Sequence, residues 1–332
     1  MPAARLEEIE LALNELRSGK PHADVARTIG RSASTVKQWQ RKFGDLTPDE
    51  LRSTLAPVDT RYIRIMDKLF QEKWDGSQAG FVWDRDELSR ISNDLNIIPP
   101  KNLGDNIYSI RHGRETLPEP ILALAPEGKT WLLLPHGKSS YNFVLADRAF
   151  LDPDPSKRPI KIPDSTPQIV ARYAKRDEQA VLARIRYCRL VDIFLGMASF
   201  QLQSHMRTTI ARFNGAQTEL DEIYVGINGS GAQFVIPVQA KSRGERIGAV
   251  QIVTDQFTCQ EKFPDMIART LAAQTIHVEE IEQVGQIFTI AIIEAATDDS
   301  YNVTKIREEH FKLVPSAMIS LFMRLWKLPF YH

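Results

Sequence analysis

Asp221, Gln239 and Lys241 are the residues of this chain whose types and spacing point most directly to chemistry. A hard divalent cation such as Mg2+ takes oxygen ligands, usually one or two carboxylates plus the substrate's own phosphate. The acid at 221 supplies such a ligand and Gln239 offers an amide oxygen. An ammonium at Lys241 can orient a water or stabilise charge that develops on a phosphoryl group. These are the parts of a phosphodiester-cutting site, provided the backbone brings them together.

A β-hairpin is the element that does so. Ile223, Val225 and Ile227 alternate on a first arm, residues 234–238 form an apolar run on a second, and Asn228-Gly229-Ser230-Gly231 between them supplies turn residues that tolerate positive φ. A turn centred on Ser230 sets Asp221 opposite Gln239, with cross-strand Cβ atoms about 5 Å apart. Period-two alternation then places Gln239 and Lys241 on one face of the second arm, and Glu219 and Asp221 on one face of the first. Glu219 and Gln251 join the candidate catalytic set. Asp221, Gln239, Glu219 and Glu222 are the candidate metal ligands, although Glu222 points the other way on a regular strand. A one-residue slip would turn one arm's set away from the other.

With these residues in place the segment resembles the PD-(D/E)XK nuclease superfamily, and within it type II restriction endonucleases. The pattern is an Asp, a variable stretch, then Glu/Asp-x-Lys on the neighbouring strand; Asp221 matches the first acid and Lys241 the lysine. Gln239 departs from it, standing where an acid is usual. Ile247, Val250, Gln251 and Thr254 follow at helical spacing, like the helix after the lysine strand in that superfamily, with Gln251 facing the site. The resemblance implies an α/β/α domain with a mixed central sheet, Mg2+ as cofactor, cleavage leaving 5′-phosphates, a homodimer, and a cognate DNA methyltransferase encoded nearby.

The flanks carry further elements. Residues 177–197 have a helical pattern (Val181, Ile185, Leu190, Ile193, Phe194), and 199–210 is strand-like, with Gln203, His205 and Arg207 alternating onto one side. His205 and Arg207 are expected as phosphate contacts. Residues 268–277 and 286–295 read as apolar strands completing the sheet, and Asp298-Asp299 as a solvated loop.

In bulk, 332 residues with 43% hydrophobic and 25% charged content describe an ordinary globular protein of two or three domains. No apolar run reaches the roughly 18–20 residues that span a bilayer, and the N-terminus lacks a signal peptide's apolar core, so a cytoplasmic protein is expected. Cys188 and Cys259 have no metal-binding or disulfide spacing. Zero net charge argues against simple coating of nucleic acid and requires DNA contacts to come from local patches.

One such patch spans Arg17 to Lys42, with seven Lys or Arg against one acid, a local charge of +6. It carries a helix-turn-helix pattern: Ala26 where helices approach, Gly30 in the turn, Val36 in the core of the second helix, and Ser32 or Ser34 as its cap. Ile9, Leu11, Leu13 and Leu16 supply a preceding helix. Ser34, Thr35, Lys37, Gln38 and Arg41 would then face double-stranded DNA. Further on come helical patterns at 61–73, around Leu88, Ile91 and Leu95 with Asp84 as cap, and from Lys101 to Arg114. Apolar stretches at 130–135 and 141–145 follow, the order of a winged helix. Lys101, Asn102, Asn106, Ser109 and Arg111 would lie on its recognition helix, and His136, Lys138 and Ser139 on its wing.

The expected architecture is therefore α+β and multidomain: a helix-turn-helix module at 1–50, a winged-helix-like module at 57–150, a Pro-rich extended linker at 151–168 and a nuclease-like domain at 169–332. A site-specific Mg2+-dependent DNA endonuclease is the leading expectation. The alternatives are a non-enzymatic transcription regulator with a dimerising or ligand-sensing C-terminal domain, and a transposase-like strand-transfer enzyme using Asp192, Asp221 and Glu222.

Overall fold

The computed structural model describes residues 3–44, 60–98, 103–111, 116–173, 178–281 and 285–315. These form a mixed α+β protein. The chain separates into two compact units, 1–69 with 88–101 and 70–87 with 102–332, and two of the three cuts fall inside helices.

The first unit begins with α1 (Ala3–Arg17), α2 (His22–Thr28) and α3 (Ala33–Phe43). Ile9, Ala12, Leu13, Val25, Ala26, Val36 and Trp39 interlock as their common core. Gly30 turns the chain between α2 and α3 at φ +65°, a conformation that costs glycine little. Ser32 caps α3, its side chain accepting from the Thr35 backbone N–H at 3.1 Å. The cap is Ser32, while Ser34 hydrogen-bonds the Ser32 hydroxyl. The expected boundary between the 1–50 and 57–150 modules lies outside the described residues.

Next come α4 (Thr60–Lys73), β1 (Gly80–Asp84), α5 (Arg85–Asp94), α6 (Leu103–Arg111), α7 (Glu119–Leu122), β2 (Thr130–Pro135) and β3 (Ser140–Ala146). Asp84 and Glu87 form part of a capping arrangement at α5, with Glu87 Oε1 accepting from the Asp84 N–H at 2.9 Å. The β2–β3 ribbon was legible; β1 was not, and it pairs with β3 to make a three-stranded sheet. Phe70 of α4 packs edge-to-face against Phe81, Trp131 and Phe143 of this sheet. The ribbon tip does not stand free. The Gly137 N–H donates to the Phe213 carbonyl at 2.7 Å, and a Cβ at Gly137 would come within 3.3 Å of Asn214.

An eight-stranded mixed sheet organises the rest of the second unit. Its strands are β5 (Ile160–Pro163), β6 (Ala198–Ile210), β7 (Ala216–Ile227), β8 (Gln233–Lys241), β10 (Ile267–Ala268), β11 (Thr270–Ile281), β12 (Gly285–Thr297) and β13 (Val303–Val314). The order is β5-β13-β12-β11-β8-β7-β6, with β10 also on β8. A two-stranded sheet joins β4 (Phe150–Leu151) to β9 (Ile247–Gly248). The helices are α8 (Gln168–Tyr173), α9 (Glu178–Tyr187), α10 (Leu190–Leu195) and α11 (Ala249–Lys262).

Helices cover both faces of the sheet. Leu182, Ile185 and Phe194 of α9 and α10 pack with Ile236, Val238 and Ala240 on one face. Val250, Ile252 and Val253 of α11 pack with Ala272 and Ile293 on the other, while Cys259 packs with Ile223 and Val235. The crossover through α11 makes β8 and β11 parallel, whereas β6, β7 and β8 run antiparallel. Pro237 sits within central β8, where a missing N–H would ordinarily break a ladder. The break is tolerated because β10 pairs up to Val235 and β11 resumes at Val238.

Two expectations are corrected here. The single helix expected at 177–197 is two, because Arg189 adopts the left-handed region at φ +53° and ends α9. The stretch expected as an extended linker contributes β5, which pairs in parallel with β13, Phe311 opposite Ile160. An edge strand tolerates the prolines that made 151–168 look unpaired.

Candidate active site

β7 and β8 pair in the register that a turn at Ser230 dictates: Tyr224 faces Ile236 and Glu222 faces Val238. Asn228 fixes the turn, its side-chain oxygen accepting from the Ser230 and Ala232 N–H groups, and Gly231 takes φ +82°. One step beyond the last ladder pair, Gln239 Nε2 donates to Asp221 Oδ2 at 2.5 Å, and the Ala240 N–H donates to the same oxygen at 3.2 Å. Gln239 is 1% and Lys241 2% exposed, and Asp221 is half-buried beside them.

Lys241 Nζ reaches Glu178 at the start of α9, donating to Oε1 at 3.1 Å. Behind the hairpin, α11 presents Gln251 and, one turn on, Asp255, which is 1% exposed. Asp255 Oδ2 is buried with no hydrogen-bond partner among the described residues. Burial, and then the charge of Asp221, push the Asp255 carboxyl well above the ordinary carboxylate range. Asp221 moves the same way. Burial outweighs the Ala240 hydrogen bond and the attraction of Lys241, and its carboxyl is pushed up to about 6. Two acids whose carboxyls are raised chiefly by desolvation, set beside one lysine, mark a candidate functional locus.

The remaining expected residues divide into those the fold brings to this locus and those it does not. Gln251 lines a cavity of about 260 Å3 with Glu219, Gln217 and Thr254. Arg111 of α6, expected to read DNA, lines that cavity too. Burial draws the Arg111 guanidinium below its ordinary range. Glu219 shares Asp221's face as expected, but Arg207 Nε holds its carboxylate at 3.1 Å. His205 lies across from Asp221, between the pairs Ser204–Glu222 and Met206–Leu220, with φ +50°. Both His205 and Arg207 are exposed on the edge strand β6.

Glu222 is corrected as a metal candidate. It is wholly buried on the opposite face, paired with Arg186 and accepting from Tyr224 Oη at 2.8 Å. Asp192 is likewise engaged away from the site, accepting from the Ser199 N–H at 2.6 Å and pairing with Arg189. The three acids of a strand-transfer site therefore do not converge. Asp298 serves its own loop through the Ser300 and Asn302 N–H groups.

Among the DNA candidates, Ser34, Lys37 and Lys138 are exposed, and Thr35, Ser109 and Arg111 half-buried. Lys101 and Asn102 lie outside the described residues, as do the side chains of Gln38, Arg41 and Asn106. Glu178 and Asp255 are the site residues that sequence reasoning missed. Asp255 follows Gln251 by one helical turn, a spacing that pointed to it; Glu178 carried no comparable signal. Among the described residues, no group of three or more His, Cys, Asp or Glu is arranged to hold a metal ion, and no helix is long and apolar enough to cross a membrane.

Comparison with known proteins finds no family model, no curated protein and no solved structure that matches this chain.

Proposed function

We propose that this protein is a Mg2+-dependent endonuclease acting on double-stranded DNA, a type II restriction-like enzyme of PD-(D/E)XK type. The observation that carries the reading is the contact of Asp221 with Gln239 across the hairpin, with Lys241 held on Glu178 beside it. A phosphodiester cut needs an oxygen-ligand locus, a positive group near the attacking water and the exclusion of bulk solvent.

The fit of Mg2+ rests on the donor set and on the orphaned Asp255 oxygen. Mg2+ needs only one or two protein carboxylates, its other positions going to water and phosphate. Asp221 and the Gln239 amide oxygen would hold it, and its charge would relieve the crowding of Asp221 against Asp255. When bound, the ion polarises a phosphoryl oxygen and lowers the pKa of water.

The chain's own residues do the rest. Asp221 must be ionised to bind the cation, so protons compete with Mg2+ and more Mg2+ is needed for activity as pH drops below about 6. Glu178 keeps Lys241 positioned, and Lys241 orients the nucleophile or meets charge developing on the phosphoryl group. Exposed Ser34 and Lys37 on the α3 unit, and Lys138 on the ribbon, supply DNA contacts from helix-turn-helix and winged-helix modules. A duplex cut further calls for two copies.

The test is incubation of the protein with plasmid or phage DNA and Mg2+, alongside Asp221→Ala and Lys241→Ala. Discrete fragments from the wild type, absent in both variants while gel-shift binding persists, is the expected result. Binding without Mg2+-dependent cutting of any unmethylated DNA would replace the nuclease with a transcription regulator.

A further inference from the structure

On the other face of the sheet, at the end of β8, a second cavity of about 210 Å3 opens between α9 and strands β11 and β12. Arg184, Ser242, Arg243, Thr275, Val278 and Phe288 are among its lining residues. Arg184 is 7% exposed. A guanidinium carries five donors and stays charged in proteins, so a buried one requires acceptors. Here one donor is accounted for by Nη1, which gives its proton to the Ala180 carbonyl at 3.0 Å. The guanidinium lies over the Phe288 ring, 3.5 Å from its centre. Nε is buried with no partner among the described residues. No carboxylate among the described residues forms an ion pair with Arg184. Asp164 acts on it from a distance while itself accepting from the Thr166 N–H at 2.9 Å and from Cys188 Sγ.

The cavity thus holds a buried cation with a donor to spare, a second and exposed arginine at Arg243, hydroxyls from Ser242 and Thr275, and no acid among the described residues of its lining. We infer that this cavity is a binding site for a phosphate-type oxyanion, held by Arg184 from within and Arg243 from the rim. Phosphate oxygens suit the fork of Arg184, which a single point acceptor would not satisfy. The volume admits a phosphoryl group with little attached to it. Two sources share this chemistry: the terminal phosphate of a nucleic-acid strand, and a free phosphate. The site does not depend on the nuclease reading, since neither Asp221 nor a divalent cation takes part in it.

The test is therefore run without Mg2+. Sodium phosphate is titrated into the full chain, with chloride at matched ionic strength as the control, following melting temperature and heat of binding. Saturable stabilisation by phosphate beyond that of chloride is expected, weakened at least tenfold in Arg184→Met and severalfold in Arg243→Ala. Should Arg184→Met fail to fold, Arg243→Ala and Thr275→Val, both at the cavity lining, carry the same comparison. A second arm compares 5′-phosphorylated and 5′-hydroxyl trinucleotides. Preference for the phosphorylated one over inorganic phosphate assigns a strand end, and the reverse order assigns a free phosphate. Failure of wild type to bind inorganic phosphate or the phosphorylated trinucleotide saturably, or affinities unchanged in the variants, overturns the proposal.

Discussion

Asp221 and Glu222 are neighbours on one strand, and the fold treats them in opposite ways. Glu222 points to the α9 side, where Arg186, Tyr224 Oη, Gln201 and Ser204 surround its oxygens. Asp221 points to the α11 side, where it meets Gln239, the Ala240 N–H and the charges of Lys241, Glu178 and His205. One acid is buried with its charge answered. The other is half-buried, and the desolvation of its carboxyl outweighs its hydrogen bond from Ala240 and the attraction of Lys241, lifting it to about 6. Glu222 is surrounded by donors on every side, whereas Asp221 has two donors on one oxygen and the desolvated Asp255 carboxyl nearby.

The largest effect that would sharpen this contrast is on activity. Asp221→Ala and Lys241→Ala should each lower cleavage by roughly a hundredfold or more, the scale of removing one group that stabilises transition-state charge. Glu222→Gln, assayed as folded protein, should cut within about tenfold of wild type. A Glu222→Gln variant as inactive as Asp221→Ala would erase the distinction between the faces.

Stability should show the opposite ranking. Glu222→Ala strands Arg186 and the Tyr224 hydroxyl, and truncating one partner of a buried ion pair costs about 3 kcal/mol. Arg186 is partly exposed, 37% for its side chain, which lowers that figure to about 2 kcal/mol by solvent screening. Urea unfolding at neutral pH measures it.

The pH dependence follows from the sign of the Asp221 shift. A carboxyl whose folded pKa is raised stabilises the fold fully below its unfolded value, near 4, and loses that contribution as pH rises through about 6. Asp221→Asn carries no charge to oppose. Without Mg2+ it should therefore melt higher than wild type at pH 8, by on the order of 1–2 kcal/mol after the lost carboxylate hydrogen bonds are allowed for, and the gain should vanish by about pH 4. A gain independent of pH would show that Asp221 is not strained by its surroundings.

The smallest expected effect tests the odd member of the site. Gln239→Glu adds an acid to a locus that already holds Asp221 and Asp255. It should lower the melting temperature without divalent cation by a few degrees, and regain most of that loss on adding Mg2+. Equal melting temperatures with and without the ion would argue against Mg2+ at this position.

Much of the hairpin was legible in the sequence because strand alternation and turn chemistry are local rules. Ile223, Val225 and Ile227 fixed the first arm, Asn228 to Gly231 fixed the turn, and the register that sets Asp221 against Gln239 followed. The helices of the N-terminal unit were legible for the same reason, through Ala26, Gly30 and Val36. The break at Arg189 was not, because a non-glycine residue with positive φ leaves no mark in periodicity. The edge strand Ile160–Pro163 was hidden by prolines that its ladder on β13 accommodates. Asp255 looked like one polar residue among many on α11 until burial removed its solvent.

The sequence by itself determined which residues could share a face and which neighbouring residues would oppose one another, since alternation and helical period are properties of the backbone. The tertiary structure decided which face would gather the acids whose pKa burial raises. Glu178 arrives from a helix 63 residues before Lys241, and Asp255 from the crossover helix after it. Charge crowding depends on distance and burial, quantities that exist only once the sheet has closed between its helices.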